Sequence, residues 1–273
     1  MRRLRAGTTV IALASGTALA QTDAPPLPSL ETVVVTATRS ERLSLDVPAS
    51  VNVITREEIR DTQLRINLSE SLPRVPGVVA LNRENYAQDL QISIRGFGAR
   101  STFGVRGIRL YLDGVPATQP DGQGQVSNFP LNAAQSIEVL RGPFSALYGN
   151  SSGGVIAMTT QLDAQPWAPA AGVAVGSFGT WRAVASLVGG ADNYAVAADA
   201  SFFNTDGYRE HSAATRDVYN VAGRIDGGAW GQWRVNLNGL SMPDAQDPLG
   251  LTRAQWEADP QQASPLALTF NSR

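Results

Sequence analysis

The chain has 273 residues, no cysteine, one histidine (His211) and a formal net charge of −2. A near-neutral chain without a dominant basic face argues against a nucleic-acid partner, and the absence of cysteine excludes a disulfide framework and, with a lone histidine, a His/Cys zinc site. The length allows one large domain or two ordinary ones.

The first twenty residues predict a secretory signal peptide that is not part of the fold. Arg2, Arg3 and Arg5 form a basic region, an apolar core begins at Val10–Leu13, and residues 18–20 form a cleavage site of the A-x-A kind. No later segment has the roughly 20 apolar residues that a transmembrane helix needs. Any membrane-spanning part must therefore be a β-barrel.

Residues 21–46 are predicted to be a leader that carries one strand. The string ETVVVTATR at 31–39 is rich in β-branched residues between charged ends, a composition that favours a strand. A single strand on a leader exposes backbone N–H and C=O groups to which another chain's sheet edge can bind. The pattern alone is equally typical of an ordinary first strand of the following domain.

Residues 47–160 predict a small domain of mixed short strands and helical turns. Val47–Ile54 alternates as a strand, and Thr55 with Glu58 forms a capping box that begins a helix. Leu68–Leu72 predicts a second helical turn that ends at Pro73. The other predicted elements are strands at Gln91–Arg95 and Arg109–Val115 and polar loops at Asn82–Leu90 and Pro116–Asn128.

The stretch Ile137–Thr160, IEVLRGPFSALYGNSSGGVIAMTT, closes this domain. Its apolar strand stops before Pro143, which suits the first turn of a helix. Phe144–Tyr148 then makes about one turn, Gly149 ends it where φ must be positive, and Val155–Thr160 returns as a strand. On composition alone, this is any compact strand–turn–strand unit.

After a linker at 161–169, residues 170–273 alternate apolar and polar side chains in about five predicted strands. Short turns at Gly190–Asn193 and Asp226–Ala229 contrast with long loops elsewhere, which is the outer-membrane barrel pattern. A soluble antiparallel sheet with one buried face is the alternative that alternation leaves open. The alternation is sharpest where Trp233, Val235 and Leu237 oppose Gln232, Arg234, Asn236 and Asn238.

Taken together, these strings resemble the TonB-dependent outer-membrane receptors. ETVVVTATR resembles a TonB box, while LPRVPGV, QISIRGFG and IEVLRGPFSALYG resemble plug motifs; DGYREHS and DPLGLTRAQWEADP look like receptor loops. The resemblance implies an α+β plug domain followed by the start of an antiparallel transmembrane β-barrel, in a family whose barrels have about 22 strands. It also implies a protein of the Gram-negative outer membrane. Because five strands cannot close a barrel, we expect the N-terminal piece of a longer receptor or a truncated product.

The same resemblance implies three groups of functional residues. A TonB-type energy-coupling protein pulls on the box residues Glu31, Thr32, Val33, Val34, Val35 and Thr36. The plug arginines Arg95 and Arg141 lock the plug by meeting glutamates of the barrel wall, which would lie beyond Arg273. The ligand contacts outward loops at 82–89, 97–104 and 116–125 and a second outer loop, and the candidate contacts are Arg83, Arg100, Gln119, Asp121, Gln123, Tyr208 and Arg209.

Arginines in these loops suit a small anionic ligand, through paired N–H donors. The resemblance implies a ferric siderophore or ferric chelate, and the strings at 96–125 and 139–154 are similar to receptors for pyrroloquinoline quinone, a carboxylate-rich anion. A solvated polar loop is an equally good interpretation of each loop residue. We expect no cofactor, no metal site and no enzymatic activity, because Ser145 lacks a G-x-S-x-G elbow and His211 has no paired nucleophile. The alternatives are a passive surface or adhesion barrel without energy coupling, or a non-functional fragment.

Overall fold

The computed structural model describes residues 34–35, 42–43, 49–61, 64–82, 85–101, 104–149, 151–162 and 166–273. Strand β1, Val34–Val35, pairs antiparallel with β2, Arg42–Leu43. In the described part of the chain these two strands form a sheet of their own, so β1 has one open flank. The predicted signal peptide and the box residues on either side of β1 lie outside the described residues.

A mixed five-stranded sheet forms the centre of the plug segment. Its strands are β3 (Ser50–Thr55), β7 (Ile108–Leu112), β8 (Val115–Pro116), β10 (Ala134–Arg141) and β11 (Gly154–Thr160). They lie in the order β3-β10-β11-β7-β8, with β10 antiparallel to β3 and β11, and with β11 parallel to β7. Two smaller pairs complete the strands of this segment: β4 (Val78–Leu81) with β5 (Gln91–Ile94), and β6 (Val105–Arg106) with β9 (Gln123–Gly124).

The first helix of the plug begins as its capping box predicts. In α1, Arg56–Arg60, the Thr55 N–H donates to the Glu58 carboxylate (2.8 Å) and the Glu58 N–H donates to the Thr55 hydroxyl (3.4 Å). The second helix, α2, is the single turn Ser145–Tyr148, followed by Gly149 at φ +70°. No helix within the described residues is both long enough and apolar enough to cross a lipid bilayer.

Two local predictions in the plug were wrong in detail. The segment 68–74 forms two 3-10 turns, Leu68–Glu70 and Leu72–Arg74, and Pro73 lies inside the second turn. A proline fits there because the first positions of a helix have no intrahelical use for an N–H. The predicted loop Pro116–Asn128 contains the short strand β9, which the sequence pattern did not indicate.

One cluster of buried apolar side chains fills the plug between its sheet and its 3-10 turns. Full burial of one such side chain contributes about 1.5–3 kcal/mol relative to exposure, so the cluster is the main source of the plug's stability. Its fully buried members include Ile59, Leu68, Leu72, Ile92, Ile94, Ile108, Leu110, Ile137, Val139 and Ile156.

The second half of the chain is a meander of five antiparallel strands, which we call the wall. The strands are β12 (Ala168–Val175), β13 (Trp181–Ala191), β14 (Tyr194–Thr205), β15 (Ala214–Asp226) and β16 (Gln232–Ala245), each paired with the next. A bilayer-spanning strand needs about 9–11 residues, and the four later strands, of 11 to 14 residues, reach or exceed this length. The segment after β16 contains α3, Arg253–Ala258, and α4, Pro265–Phe270.

The two faces of the wall differ in what covers them. The outer face carries exposed apolar side chains, including Trp181, Leu187, Val221 and Leu237. The inner face of β13, β14 and β15 is covered by the plug and is buried at Arg182, Ala195, Ala197, Asp199, Phe203, Arg216, Asn220 and Ala222. The inner residues of β16, from Gln232 to Asn238, are exposed. The inner face, which carries the polar side chains of the alternating pattern, is therefore largely a plug-binding face.

A charge on the outer face is expected to destabilise the wall, whereas the same charge on the inner face of β16 is not. We predict that Leu237→Arg lowers the free energy of unfolding by about 2–4 kcal/mol, because an arginine near the bilayer midplane loses its hydration. The matched variant Asn238→Arg places the same side chain one residue along on the opposite face. Urea titration in phospholipid vesicles measures both variants, and equal losses would contradict the assignment of the two faces.

Candidate functional site

The Asp247 carboxylate joins the surface segment after β16 to a plug loop. Asp247 is buried, and it accepts hydrogen bonds from the side-chain amides of Asn85 (2.6 Å) and Gln88 (2.7 Å) in the plug. The Leu249 N–H also donates to this carboxylate (2.9 Å). We call residues 246–272 the surface loop. One side chain thus links the surface loop to the plug loop.

Arg209 organises the same surface loop from the loop between β14 and β15. Its guanidinium donates to the backbone carbonyls of Leu249 (2.7 Å), Pro248 (3.2 Å) and Gln262 (3.0 Å). Partial burial lowers the pKa of Arg209, and the neighbouring Asp247 charge acts in the opposite direction. The guanidinium N–H groups of Arg209, which were expected to contact a ligand, therefore hold the surface loop in place.

A cavity of 330 Å³ lies at this junction, and we call it the outer cavity. Its lining combines plug and wall: Asn85, Gln88, Tyr208, Arg209, Ser212, Asp247, Pro248, Leu249 and Gly250. The volume falls within the range of about 300–1,000 Å³ that is usual for small-molecule sites. Arg209 and Asp247 carry opposite charges, so the cavity is close to electrically balanced.

The other candidate residues within the described part of the chain do not line the outer cavity. Asp121 and Gln123 face Arg106, whose guanidinium lies 3.7 Å from the Asp121 carboxylate and donates to the Gln123 side-chain oxygen (2.8 Å). Gln119 caps the same turn through backbone hydrogen bonds with Gln123 and Gly122. Arg100 is exposed on a neighbouring loop, and Arg83 lies outside the described residues.

The structure thus brings the predicted contacts Tyr208 and Arg209 to one cavity and Gln119, Asp121 and Gln123 to another cluster. Sequence reasoning missed Asn85, Gln88, Asp247 and Arg106. Asp247 and Arg106 lie inside strings that resemble receptor sequence. A charged residue in such a string was the signal that could have identified them as site residues. The plug partners of Asp247 are 159 and 162 residues away in the sequence, and no pattern of spacing predicts them.

Asp89 is a further carboxyl group near the outward side of the plug. Burial raises the pKa of Asp89 above its usual range, and the hydrogen bond from the Gln125 amide (3.3 Å) opposes that shift. Asp89 therefore takes up a proton at a higher pH than an unperturbed aspartate does. Both side chains line a second cavity of 250 Å³, between the plug and the strands β15 and β16.

The two predicted lock arginines converge on the turn at Pro76-Gly77. Arg141 donates from its guanidinium to the Pro76 carbonyl (2.7 Å), and the Arg95 N–H donates to the Gly77 carbonyl (2.8 Å). Arg95 has φ +50° and an exposed side chain. No carboxylate lies within 4 Å of either guanidinium in the described part of the chain.

Replacing Asp247 is expected to detach the surface loop from the plug. In Asp247→Asn the new amide group donates where it should accept, and each lost hydrogen bond to a charged group is worth about 1.5–3 kcal/mol. We predict that the amide protons of Leu249 and Ser264 exchange at least about tenfold faster. The control is Asp244→Asn on β16, three residues earlier; equal acceleration in the control would contradict the role of Asp247.

Comparison with known proteins places this architecture in one family. The family described as the TonB-dependent receptor plug domain matches residues 44–155. An iron-regulated outer membrane virulence protein of Vibrio cholerae is 36% identical over 146 residues, which are 50% of this chain and 21% of that protein. The vitamin B12 transporter of Vibrio vulnificus is 34% identical over 131 residues, 48% of this chain and 20% of that protein.

A solved structure extends the likeness to the wall. The pyoverdine outer membrane receptor of Pseudomonas aeruginosa superposes with a TM-score of 0.63 at 18% identity, over 77% of this chain and 30% of that chain. At this identity the likeness shows the fold alone. This chain spans about a fifth of the length of the curated relatives it matches.

The predicted fold class is confirmed: an α+β plug is followed by antiparallel strands of the kind that begin a transmembrane barrel. The relatives in the comparison are described as an outer membrane virulence protein, a vitamin B12 transporter and a pyoverdine receptor. Residues 44–155 of this chain match the plug domain of TonB-dependent receptors, and the curated relatives that the chain resembles come from Gram-negative bacteria.

Proposed function

We propose that this chain is part of a receptor that takes up a scarce anionic ligand across the outer membrane with energy supplied by a TonB-type protein. The observation that carries the proposal is the outer cavity, which plug residues and wall residues line together. A ligand in such a cavity touches both the plug, which moves during transport in this proposal, and the wall, which stays in place. Binding can therefore change the free energy of the plug's position, as coupled transport requires.

For the ligand we propose a ferric siderophore or other ferric chelate, or pyrroloquinoline quinone. Exposed Arg100 on a plug loop and exposed Arg106 on strand β6 offer guanidinium donors, and guanidinium groups bind carboxylates through paired hydrogen bonds. The ligand contacts in this proposal are Arg83, Arg100, Gln119, Asp121, Gln123 and Tyr208, with Arg209 acting mainly as a support of the surface loop. Relatives named for iron and for vitamin B12 fit a family that changes ligand through its loops.

For the coupling we propose that residues 31–39 bind the TonB-type protein by strand pairing. The open flank of β1 supports this, because its free N–H and C=O groups can extend another chain's sheet. Arg95 and Arg141 would hold the resting plug by meeting wall glutamates. Losing one partner of such a buried pair destabilises the closed state by about 3–5 kcal/mol.

Binding and energised uptake together test the proposal. Isothermal titration of the purified receptor with ferric citrate, a ferric hydroxamate siderophore and pyrroloquinoline quinone is expected to give one ligand with a Kd of about 1 μM or tighter. Uptake of that ligand by cells should stop when a protonophore collapses the proton gradient of the inner membrane. Binding to none of the three would contradict the ligand class, and uptake that survives the protonophore would favour the passive barrel.

A further inference from the structure

A wall arginine clamps two distant segments of the plug. Arg216 lies on the inner face of β15 and is 4% exposed. Its guanidinium donates to the Ile66 carbonyl (2.6 Å), to the Asn67 side-chain oxygen (3.0 Å) and to the Ser127 carbonyl. We call these three hydrogen bonds the Arg216 clamp. Its partners are about 60 residues apart in the plug sequence.

One of the clamped segments is formed in advance by the plug itself. The Glu70 carboxylate accepts hydrogen bonds from the backbone N–H groups of Arg65 (2.6 Å), Ile66 (2.6 Å) and Asn67 (2.8 Å). With its N–H groups fixed on Glu70, this segment presents the Ile66 carbonyl to the wall. The clamp therefore binds a backbone shape that exists only when this part of the plug is folded.

The wall around Arg216 is shaped to let the plug approach closely. Alanines 195, 197, 214 and 222 on the inner faces of β14 and β15 are buried, and such small side chains bring backbone and partner near each other. Phe203 on β14 contacts Tyr86 of the plug, with ring centroids 4.9 Å apart. Arg182 and Asp199 line the same small cavity as Arg216 and Arg65.

We propose that Arg216 is a positioning residue that seats the plug on strands β13–β15, by binding plug backbone carbonyls that are aligned only in the folded plug. The clamp has the opposite polarity to the Arg95 and Arg141 lock: here the wall supplies the cation and the plug supplies neutral oxygens. Because the three acceptors are neutral oxygens, the clamp depends on the shape of the plug backbone at residues 66–67 and 127. This inference does not depend on the proposed ligand or on energy coupling.

A single cysteine in the plug can report whether the clamp holds, because residues 1–273 contain no natural cysteine. Ser69 lies beside the clamped segment and is buried, so Ser69→Cys should react slowly with a membrane-impermeant maleimide. The receptor is expressed in the outer membrane of a host without a TonB-type protein and without ligand. Arg216→Gln is expected to raise the labelling rate about tenfold or more, since each tenfold corresponds to about 1.4 kcal/mol of opening free energy.

Three companion variants separate the clamp from general damage. Arg234→Gln removes an arginine from the inner face of β16. Within the described part of the chain its side chain donates a hydrogen bond only to Gln232, so this variant should leave the labelling rate unchanged. Arg216→Lys keeps the charge but cannot reach three acceptors, so it should give an intermediate rate. Asn67→Ala removes one acceptor from the plug side and should also give an intermediate rate.

If Arg216→Gln labels at the wild-type rate, or if Arg234→Gln labels as fast as Arg216→Gln, the proposal is overturned. If Arg216→Gln does not reach the heat-modifiable folded form, Arg216→Lys and Asn67→Ala provide the test. Wild-type labelling in both of these folded variants would then refute the clamp.

Discussion

Deleting residues 32–36 from the receptor is expected to abolish energised uptake and to leave ligand binding unchanged. The deletion removes β1 and its open flank, on which the proposed pairing with a TonB-type protein depends. The loss of about 3 kcal/mol of backbone pairing energy lowers the fraction of receptor bound to the TonB-type protein about 100-fold. The outer cavity lies among residues of the plug loop and the wall, far along the chain from this strand.

Two controls separate the strand from the length of the leader. Deleting residues 24–28 shortens the proline-rich leader by the same five residues and keeps the box, so uptake should persist. At one position, Val34→Pro removes a backbone donor and should behave like the deletion, whereas Val34→Ile keeps a β-branched side chain and should transport normally. Transport that survives both the deletion and Val34→Pro would show that this strand is not the coupling element.

The second large effect is expected at Gly154, where the last strand of the plug begins. Gly154 has φ +146°, and a Cβ placed there would overlap the carbonyl oxygen of Leu140 on the neighbouring strand β10. Positive φ in a residue with a side chain costs about 1–3 kcal/mol, and overpacking typically adds about 1–3 kcal/mol. We therefore predict that Gly154→Ala destabilises the plug by about 4 kcal/mol, by the sum of these two costs.

Hydrogen exchange of the β10 and β11 amides measures this loss directly in the plug. The matched control is Gly239→Ala on β16, where the nearest atom to a new Cβ is Tyr219 Cδ2 at 3.9 Å and φ is not positive. The control should change stability by less than about 1 kcal/mol. A plug that tolerates Gly154→Ala as well as the wall tolerates Gly239→Ala would contradict the tight β10–β11 register.

The local structure of the chain could be predicted from its sequence. The Thr55 capping box, the single turn before Gly149 and the alternation in β14 and β16 all depend on residues that are near neighbours along the chain. Such features follow from backbone hydrogen bonding and from side-chain periodicity, which a single sequence displays. Motif strings of the same kind were sufficient to indicate the family, and the plug-domain match confirmed it.

Only the tertiary structure decided how the two halves meet. Arg209, which was predicted to contact a ligand, lines the outer cavity and also holds the surface loop, while Asp247 and Arg216 contact plug residues well over a hundred positions away. A polar residue that faces inward on a strand gives the same alternating sequence pattern whether water or another domain covers it. The physical reason is that a charged side chain takes whichever oxygen or amide the packed fold brings within reach, and that choice is made by three-dimensional proximity and not by spacing along the chain.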